Sequence, residues 1–285
     1  KDIIDGNLPA LAQGITLVES NAVADKENAR ALLHALMPHT GSSFRIGVTG
    51  VPGVGKSTFL ESYGSALLKS DETARVAVLA VDPSSEVSKG SILGDKTRMM
   101  ELGKHERAFI RPSSSGGNLG GVAKKTREAL LLCEAAGFNY IFVETVGVGQ
   151  SETLVAQLVD CFLFLAMPGT GDELQGLKKG IMEMADIIAL NKSEPPNTPA
   201  GERSALAIRS ALQLFTNKKF DWHPPVLLTS GLTGFGFNEL DTSFDRYRRH
   251  SQSKGWFDKK RKDQQEYWFE HAVRDGVFEL LRKDE

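Results

Sequence analysis

The chain has 285 residues, of which 41% are hydrophobic and 25% charged, enough for one large core. Its formal net charge of −2 gives no electrostatic reason to expect binding to nucleic acid or to an anionic membrane. No hydrophobic run approaches the roughly 18–20 residues of a membrane-spanning helix, and the first residues are typical of neither a signal peptide nor a transit peptide. Cys133 and Cys161 lie far apart in hydrophobic runs, so we expect buried thiols and a soluble protein of the cytosol or an organelle matrix.

Hydrophobic periodicity predicts helices over residues 3–37, and Pro38 and Gly41 end this section. From residue 44 to about 230, short hydrophobic strands alternate with helical stretches. The predicted strands are 44–49, 76–81, 108–111, 140–144, 161–166, 186–190 and 226–229. Such continuous hydrophobic runs indicate strands covered on both faces, hence an α/β fold with a mostly parallel sheet between helix layers.

Past residue 236 the chain becomes polar and helical. Basic runs at 246–249 and 259–262 are interleaved with the aromatic residues Trp256, Phe257, Tyr267, Trp268 and Phe269. This pattern has two interpretations, a nucleic-acid surface or a solvated helix whose aromatic face packs on the core or on a second subunit, and interspersed acidic residues favour the helix. We therefore divide the chain into an N-terminal helical extension (1–40), an α/β domain (41–235) and a C-terminal helical segment (236–285).

Residues 50–57 match the phosphate-binding pattern G-x-x-x-x-G-K-[ST], between the strand 44–49 and a helix predicted over 58–69. Glycines allow backbone N–H groups to surround a phosphate, and the helix N-terminus adds partial positive charge. In this pattern Lys56 contacts the β- and γ-phosphates and the Ser57 hydroxyl binds Mg²⁺. The sequence therefore predicts a P-loop nucleoside triphosphatase, with helical extensions on both sides of its sheet domain.

Acidic residues follow two of the predicted strands. Asp82 comes after the strand 76–81, with Asp95 further along, and Glu144 ends the strand 140–144. In phosphoryl-transfer proteins a carboxylate at such a strand end holds Mg²⁺, and a glycine three residues later, here Gly147, senses the γ-phosphate. The alternative for each carboxylate is a helix cap or a solvated loop.

The strand 186–190 leads into Asn191-Lys192-Ser193-Glu194. Guanine-specific proteins carry Asn-Lys-x-Asp in this place, where the carboxylate accepts two hydrogen bonds from guanine. Glu194 keeps the charge on a side chain one methylene longer, and adenine lacks the matching donor pair. After the last strand, Ser230 and Gly231 lie where a backbone amide usually meets guanine O6, so the sequence predicts a guanine site.

Glycine-rich segments lie at 113–121, 147–151 and 168–173. They are either nucleotide-dependent switch loops or ordinary turns, and their common sheet edge favours switches. Gln150 is the candidate for orienting the attacking water. The histidines do not cluster and there is no Cys-x-x-Cys, which argues against a role in nickel or zinc insertion.

Long motifs along the chain carry a family resemblance. They lie at residues 17–20, 50–58, 81–85, 90–99, 143–152 and 171–180. Together they resemble the methylmalonyl-CoA mutase-associated GTPases, the MeaB/ArgK type that includes the methylmalonic aciduria type A protein. The chain departs from the family pattern at Glu194, where Asp is usual, and at residues 88–89, where a second glycine is common before Gly90.

The resemblance implies a Mg²⁺-dependent GTPase, usually a homodimer, of the bacterial cytoplasm or the mitochondrial matrix. It implies a partner, a coenzyme B12-dependent acyl-CoA mutase, whose adenosylcobalamin loading the GTPase gates and which it protects. The segment 236–285 then corresponds to part of a dimerisation arm, and the loop 169–179 to a switch that senses the mutase.

Carried onto this sequence, the resemblance assigns Lys56, Asp82 and Glu144 to catalysis and Ser57, Asp82, Asp95 and Glu144 to Mg²⁺. The residues assigned to GTP or GDP are Gly50, Gly53, Val54, Gly55, Lys56, Ser57, Thr58, Gly147, Asn191, Lys192, Glu194, Ser230 and Gly231. Two alternatives stay open: an ATP-using kinase or transport-associated ATPase, and a structural partner that binds nucleotide without turnover. A kinase needs an acceptor pocket and a base, and the sequence indicates neither.

Overall fold

The computed structural model describes residues 1–81, 99–112, 119–145, 151–169, 179–213 and 221–281. Several predicted features lie outside these ranges: Asp82, Asp95, Gly147, Gln150 and most of each glycine-rich segment. Their assignments remain predictions from the sequence.

Two helices and a short turn precede the sheet, as the sequence predicts. Helix α1 spans Leu8–Glu19 and begins where the Asn7 side chain accepts a hydrogen bond from the Ala10 amide at 2.9 Å, a normal N-cap. Helix α2 spans Val23–Leu36, and a 3₁₀ turn, Met37–His39, follows. The hydrophobic face of α1 is buried, which attaches this extension to the domain.

Within the described residues, seven parallel strands form a sheet in the order β3-β2-β4-β1-β5-β6-β7. Their bounds are β1 Phe44–Gly50, β2 Val76–Val81, β3 Ala108–Arg111, β4 Tyr140–Thr145, β5 Cys161–Ala166, β6 Ile187–Leu190 and β7 Val226–Leu228. The predicted strands and their parallel arrangement are confirmed. Since β1 lies between β4 and β5, the phosphate-binding loop that follows β1 emerges near the middle of the sheet, where such sheets bind ligands.

Helices cover the sheet on both faces. They are α3 Lys56–Ser70, α4 Leu119–Ala135, α5 Ser151–Ala156, α6 Lys179–Met184, α7 Thr198–Gln213, α8 Phe237–Ser253 and α9 Trp256–Leu281. On β4, Phe142 belongs to a core with α3 and α8, whereas its neighbours Ile141 and Val143 belong to a core with α1, α4 and α9. Because successive side chains of a strand point to opposite faces, these cores lie on the two sides of the sheet. Among the described residues, none of the helices has the length and hydrophobicity that a membrane-spanning segment needs.

Both cysteines are buried and free, as the sequence predicts. Burial raises the pKa of the thiols of Cys133 and Cys161, so the neutral form is strongly favoured. These thiols act as small core side chains.

The basic run 259–262 was predicted to lie on a solvated helix face, but only part of it is exposed. Lys260 and Arg261 are largely buried at the amino ends of the strands, whereas Lys259 and Lys262 are exposed. The Arg261 guanidinium donates to both carboxylate oxygens of Asp160, at 2.8 and 2.7 Å, and to the Ser43 carbonyl at 2.6 Å. Lys260 Nζ donates to the Asp160 carbonyl at 2.7 Å. These contacts attach α9 to the segments that enter β1 and β5.

The aromatic residues of α9 also include both buried and exposed side chains. Trp268 is buried against α4 and Phe257 packs on the core, which agrees with the predicted packing face. Phe269 is 70% exposed, and Val273 and Val277 follow it at helical spacing with about half of their surface exposed. This face of α9 is therefore not covered by any other described helix or strand.

Replacing Arg261 by Met should lower the free energy of unfolding by about 3 kcal/mol, because it leaves the Asp160 carboxylate buried without its charged partner. The Arg45 amide, at 2.9 Å, then remains as its hydrogen-bond donor. Urea unfolding followed by circular dichroism measures the change. The control is Lys262→Met at the next position, where the side chain is 75% exposed and a change within about 0.5 kcal/mol is expected. Equal stability of the two variants would contradict this assignment.

Candidate nucleotide-binding site

The loop after β1 has the backbone geometry of a phosphate-binding loop. Gly53 and Gly55 have φ values of 78° and 89°, in the left-handed region that favours glycine. At Gly50 a Cβ would lie 2.4 Å from the Leu165 carbonyl oxygen on β5, so only glycine fits this close approach. Helix α3 begins directly after Gly55, and its N-terminus therefore adds partial positive charge at the loop.

Lys56 lies across this loop. Its Nζ donates to the Gly50 carbonyl at 2.9 Å. Burial lowers the pKa of Lys56, although the charges of Glu144 and Glu152 oppose the shift. A phosphate at the loop would supply this half-buried ammonium group with an opposite charge, which is the role that the motif predicts.

Ser57 and Glu144 meet at the carboxyl end of the sheet. The Ser57 hydroxyl donates to Glu144 Oε1 at 3.1 Å, and both residues are buried. Next to them, the Thr145 hydroxyl donates to Thr49 Oγ1 at 2.9 Å, which links the ends of β4 and β1. Hydroxyl and carboxylate oxygens are ligands that Mg²⁺ prefers, so this pair fits the metal that the motif implies.

The described ranges hold no group of three or more His, Cys, Asp or Glu residues able to bind a metal ion. Mg²⁺ typically keeps several waters and takes one or two protein ligands together with substrate phosphates. Ser57 and Glu144 are therefore sufficient as protein ligands among the described residues, and the assignment of Asp82 and Asp95 to the metal remains a prediction.

Asn191 connects the phosphate-binding loop to the loop after β7. Its Nδ2 donates to the Val54 carbonyl at 2.8 Å, and its Oδ1 accepts from the Gly231 amide at 2.7 Å. The residue is only 2% exposed. The sequence assigns Asn191 to reading the base, which remains a prediction, and the structure shows a further role, since each polar atom of its side chain bonds a backbone group. Asn191 therefore positions the two loops.

Lys192 and Glu194 follow Asn191 on the same loop. Lys192 has a positive φ of 61°, and its Nζ donates to the Gly53 carbonyl at 2.8 Å, so it covers the phosphate-binding loop from outside. Oε2 of Glu194 is buried and has no hydrogen-bond partner among the described residues. An acceptor in this state is suited to a donor supplied by a ligand, such as the N–H groups of guanine.

Ser230 shapes the last loop of the site. Its Oγ accepts hydrogen bonds from the Leu232 and Thr233 amides, each at 3.2 Å. A Cβ at Gly231 would lie 2.7 Å from Cα of Phe59 on α3, so the loop packs directly on that helix. The Gly231 amide is already bonded to Asn191, which makes this glycine part of the same framework.

The structure thus brings together most of the predicted site at one edge of the sheet. The residues gathered there are Gly50, Gly53, Val54, Gly55, Lys56, Ser57, Glu144, Asn191, Lys192, Glu194, Ser230 and Gly231. Thr58 lies exposed in the first turn of α3. Glu152, a buried carboxylate on α5 whose charge acts on Lys56, was not among the predicted site residues. In the sequence, only the position of Glu152 at the end of the motif 143–152 indicated that it belongs to the site.

With this geometry established, comparison with known proteins identifies the family. The family model described as Methylmalonyl Co-A mutase-associated GTPase MeaB matches residues 11–285. The chain belongs to the MeaB family. It is therefore a GTPase, which hydrolyses GTP to GDP and phosphate.

Named relatives agree with this assignment. A putative GTPase of Caulobacter vibrioides is 55% identical over 280 residues, covering 98% of this chain and 85% of that protein. GTPase ArgK of Escherichia coli is 45% identical, with 98% and 84% covered. The mitochondrial methylmalonic aciduria type A homolog of Mus musculus is 41% identical, with 98% and 69% covered.

Solved structures show the same fold. A crystal structure described as LAO/AO transport system kinase is 38% identical, has a TM-score of 0.83, and covers 100% of this chain and 85% of its own. HypB from Helicobacter pylori, solved in complex with nickel, has a TM-score of 0.53 and 12% identity, covering 77% of this chain and 93% of its own. At that identity the likeness to HypB concerns the fold alone.

Replacing Asn191 by Ala should weaken GDP binding at least about tenfold and destabilise the protein by about 2 kcal/mol, since it leaves buried backbone groups of Val54 and Gly231 unpaired. Isothermal titration calorimetry and urea unfolding measure the two effects. Asn197→Ala, at the exposed position before α7 on the same connection, should leave GDP affinity unchanged and cost at most the roughly 1 kcal/mol of a lost N-cap. Wild-type GDP affinity in the Asn191 variant would show that the two loops hold their places without this side chain.

Proposed function

We propose that this MeaB-family GTPase is a Mg²⁺-dependent chaperone of a coenzyme B12-dependent acyl-CoA mutase of the methylmalonyl-CoA mutase type. In this role it gates adenosylcobalamin loading and protects the mutase from inactivation. The supporting observation is the match of a mutase-associated GTPase family across residues 11–285, which includes both helical extensions as well as the nucleotide domain. We place the protein in the bacterial cytoplasm or the mitochondrial matrix.

The nucleotide chemistry follows from the loop and from Lys56. The glycine loop and the α3 N-terminus would hold the phosphates, and the Lys56 ammonium group would contact the γ-phosphate and stabilise the charge of the transition state. Ser57 and Glu144, with Asp82 and Asp95 assigned by the family resemblance, would hold Mg²⁺. When bound, Mg²⁺ would supply positive charge that neutralises the phosphates during hydrolysis. Gly147 is proposed to sense the γ-phosphate.

In this proposal, the loops after β6 and β7 contact the base. Glu194 presents a carboxylate with one buried oxygen that has no partner among the described residues, which suits the N1 and 2-amino donors of guanine. Ser230 and Gly231 flank the position expected for guanine O6, and Asn191 holds this loop against Val54. This arrangement favours GTP and GDP over adenine nucleotides, which lack the donor pair.

We also propose that the protein is a homodimer and that α9 contributes to its interface. Phe269, Val273 and Val277 expose a hydrophobic stripe on that helix, in the segment that resembles a dimerisation arm. Turnover by the GTPase alone should be slow and should rise on binding the mutase, because partners often supply the groups that accelerate phosphoryl transfer. The loop 169–179 is the proposed sensor of the mutase.

The experiment that tests the chaperone proposal is binding to a purified methylmalonyl-CoA mutase, measured by biolayer interferometry with GDP and with a non-hydrolysable GTP analogue. The affinity should differ about 5- to 150-fold between the two nucleotide states, the usual range of such coupling. In Lys56→Ala, which should not hold the triphosphate, the difference should disappear, whereas Lys69→Ala on the exposed end of α3 should keep it. Absence of binding in both states, with GTP hydrolysis unaffected by the mutase, would refute the proposal.

The second candidate function is an ATP-using kinase or transport-associated ATPase, which the description of the similar crystal structure favours. Competition of GTP, GDP and ATP for the site separates the two candidates. The chaperone proposal expects guanine nucleotides to bind far more tightly than ATP. A preference for ATP together with phosphate transfer to a small molecule would support the kinase instead.

Glu144→Gln should raise the Mg²⁺ concentration for half-maximal GTP hydrolysis about 10- to 100-fold, the effect typical of losing a group that supports a metal site. The substitution preserves shape and removes the charge beside Ser57. A Mg²⁺ titration of the hydrolysis rate measures this. Glu72→Gln, at an exposed position between α3 and β2, is the control. An unchanged Mg²⁺ requirement in the Glu144 variant would place the metal elsewhere.

Glu194→Gln should weaken GDP binding about 10- to 100-fold, because a charged hydrogen-bond acceptor becomes neutral and one of its partners is lost. Binding of IDP, whose base lacks the 2-amino group, should fall less. Calorimetry with both nucleotides gives the ratio, and Glu202→Gln on the exposed face of α7 is the matched control. Equal losses for GDP and IDP would mean that Glu194 does not read the 2-amino group.

A further inference from the structure

A cavity of about 390 Å³ lies on the opposite edge of the sheet from the nucleotide site. It opens between α4 and α9, at the amino ends of β1 and β5. The described residues that line it are Met37, Thr40, Gly41, Arg45, Arg127, Leu130, Leu131, Gln157, Leu158, Arg261, Gln264, Gln265 and Trp268. Its volume lies in the range of small-molecule sites, which is about 300–1,000 Å³.

The charge on this lining is unbalanced. Three of the lining residues are arginines, and none is acidic. Arg45 is bound to Glu134 behind the cavity wall by two hydrogen bonds of 2.9 and 2.8 Å, and Arg261 is bound to Asp160. Arg127 differs from both, because it makes neither an ion pair nor a hydrogen bond within the described part of the chain.

Arg127 is held in place by an aromatic ring. Its guanidinium carbon lies 5.8 Å from the centre of the Trp268 ring, and Trp268 is 8% exposed. Burial lowers the pKa of Arg127; the charge of Arg45 acts in the same direction, and the adjacent Glu128 opposes it. A partly buried guanidinium beside a second one is stabilised by an anion, and its planar donor fork matches carboxylate and phosphate oxygens.

Gln264 adds an unused acceptor to the same wall. Its Nε2 donates to the Val159 carbonyl at 2.9 Å, but its Oε1 is buried without a partner among the described residues. The residue is 4% exposed. An unsatisfied buried acceptor is unfavourable, and the terminal amide torsion is soft enough for a small rotation toward a donor in the cavity.

We propose that this cavity binds a small organic anion that carries a hydroxyl group beside its carboxylate. Arg127 binds the carboxylate, Gln264 Oε1 accepts from the hydroxyl, and Leu130 and Trp268 contact the carbon skeleton. The ligand would then bridge α4 and α9 at a distance from the nucleotide site. Lys56 and the other described residues proposed to bind the nucleotide do not line this cavity, so the proposal does not depend on the proposed nucleotide chemistry.

The test uses the full chain loaded with Mg²⁺ and GDP, labelled with 5-fluorotryptophan and followed by ¹⁹F NMR. The sequence holds three tryptophans, and Trp268 is the one on this cavity. The probes are L-malate, succinate, which lacks the hydroxyl, and glycerol, which lacks the charge. We expect L-malate to shift the Trp268 signal with the highest affinity, succinate to bind more weakly, and glycerol to have no effect.

Arg127→Met should weaken L-malate binding at least about tenfold, the loss expected for a charged hydrogen bond, and Arg127→Lys should restore part of it. Lys124→Met, an exposed basic position on the same helix, should bind as the wild type does. Gln264→Met should bring the affinities for L-malate and succinate together. Unchanged GTP hydrolysis verifies the fold of each variant. A Trp268 signal that responds to neither acid beyond a sodium chloride control of equal ionic strength, or a response that persists in Arg127→Met, would overturn the proposal.

Discussion

A single buried amide side chain holds the two halves of the nucleotide site together. Asn191 bonds the carbonyl of Val54 in the phosphate-binding loop and the amide of Gly231 in the loop after β7. Both backbone groups are out of reach of water, so each needs a protein partner, and the short amide of Asn191 supplies both. A Cβ on Gly55 would lie 3.2 Å from Asn191 Nδ2, which is one reason why the loop carries glycine there. The loops proposed to bind phosphate and base are therefore positioned as one unit.

The opposite edge of the sheet is organised around a carboxylate. Asp160 accepts hydrogen bonds from Arg261 and from the Arg45 amide through its side chain, and from Lys260 and Tyr247 through its carbonyl. These contacts join β1, β5, α8 and α9 at one point. Strand β1 thus extends from the cavity lined by Arg45 to Gly50, where the phosphate-binding loop starts. The C-terminal helices are consequently part of the domain rather than an independent attachment.

The strands agree with their predicted bounds to within one residue. Most of them are near-continuous hydrophobic runs, such as Val76–Val81, which is buried along its whole length and is typical of a strand covered on both faces. The glycine and lysine positions of the phosphate-binding loop were also predictable, because their roles depend on local backbone geometry and on direct contact with phosphate. The family motifs add the proposed mutase partner, which local physical chemistry does not specify.

Side-chain partners were harder to predict. The basic run 259–262 has the composition of a solvated helix face, yet two of its members are buried on Asp160 and the other two are exposed. The sequence assigns Asn191 to the base, and nothing in it indicates that the same amide also bonds the backbone of Val54 and Gly231. In each case the partner comes from a distant part of the chain, and a single sequence contains no record of such pairs.

The sequence by itself determined the order of the strands along the chain, the parallel α/β fold, the phosphate-binding loop and the family, because these depend on hydrophobic runs and on contiguous motifs. Tertiary structure alone decided which charges are buried, which amide joins the loops, and that a cavity lies between α4 and α9 with an arginine, Arg127, that has no ion pair among the described residues. Arg261 and Asp160 are 101 positions apart, and Asn191 and Val54 are 137 apart. Only the packing of helices on the sheet brings such residues within hydrogen-bond distance, and it is this proximity that sets the charge and shape of both sites.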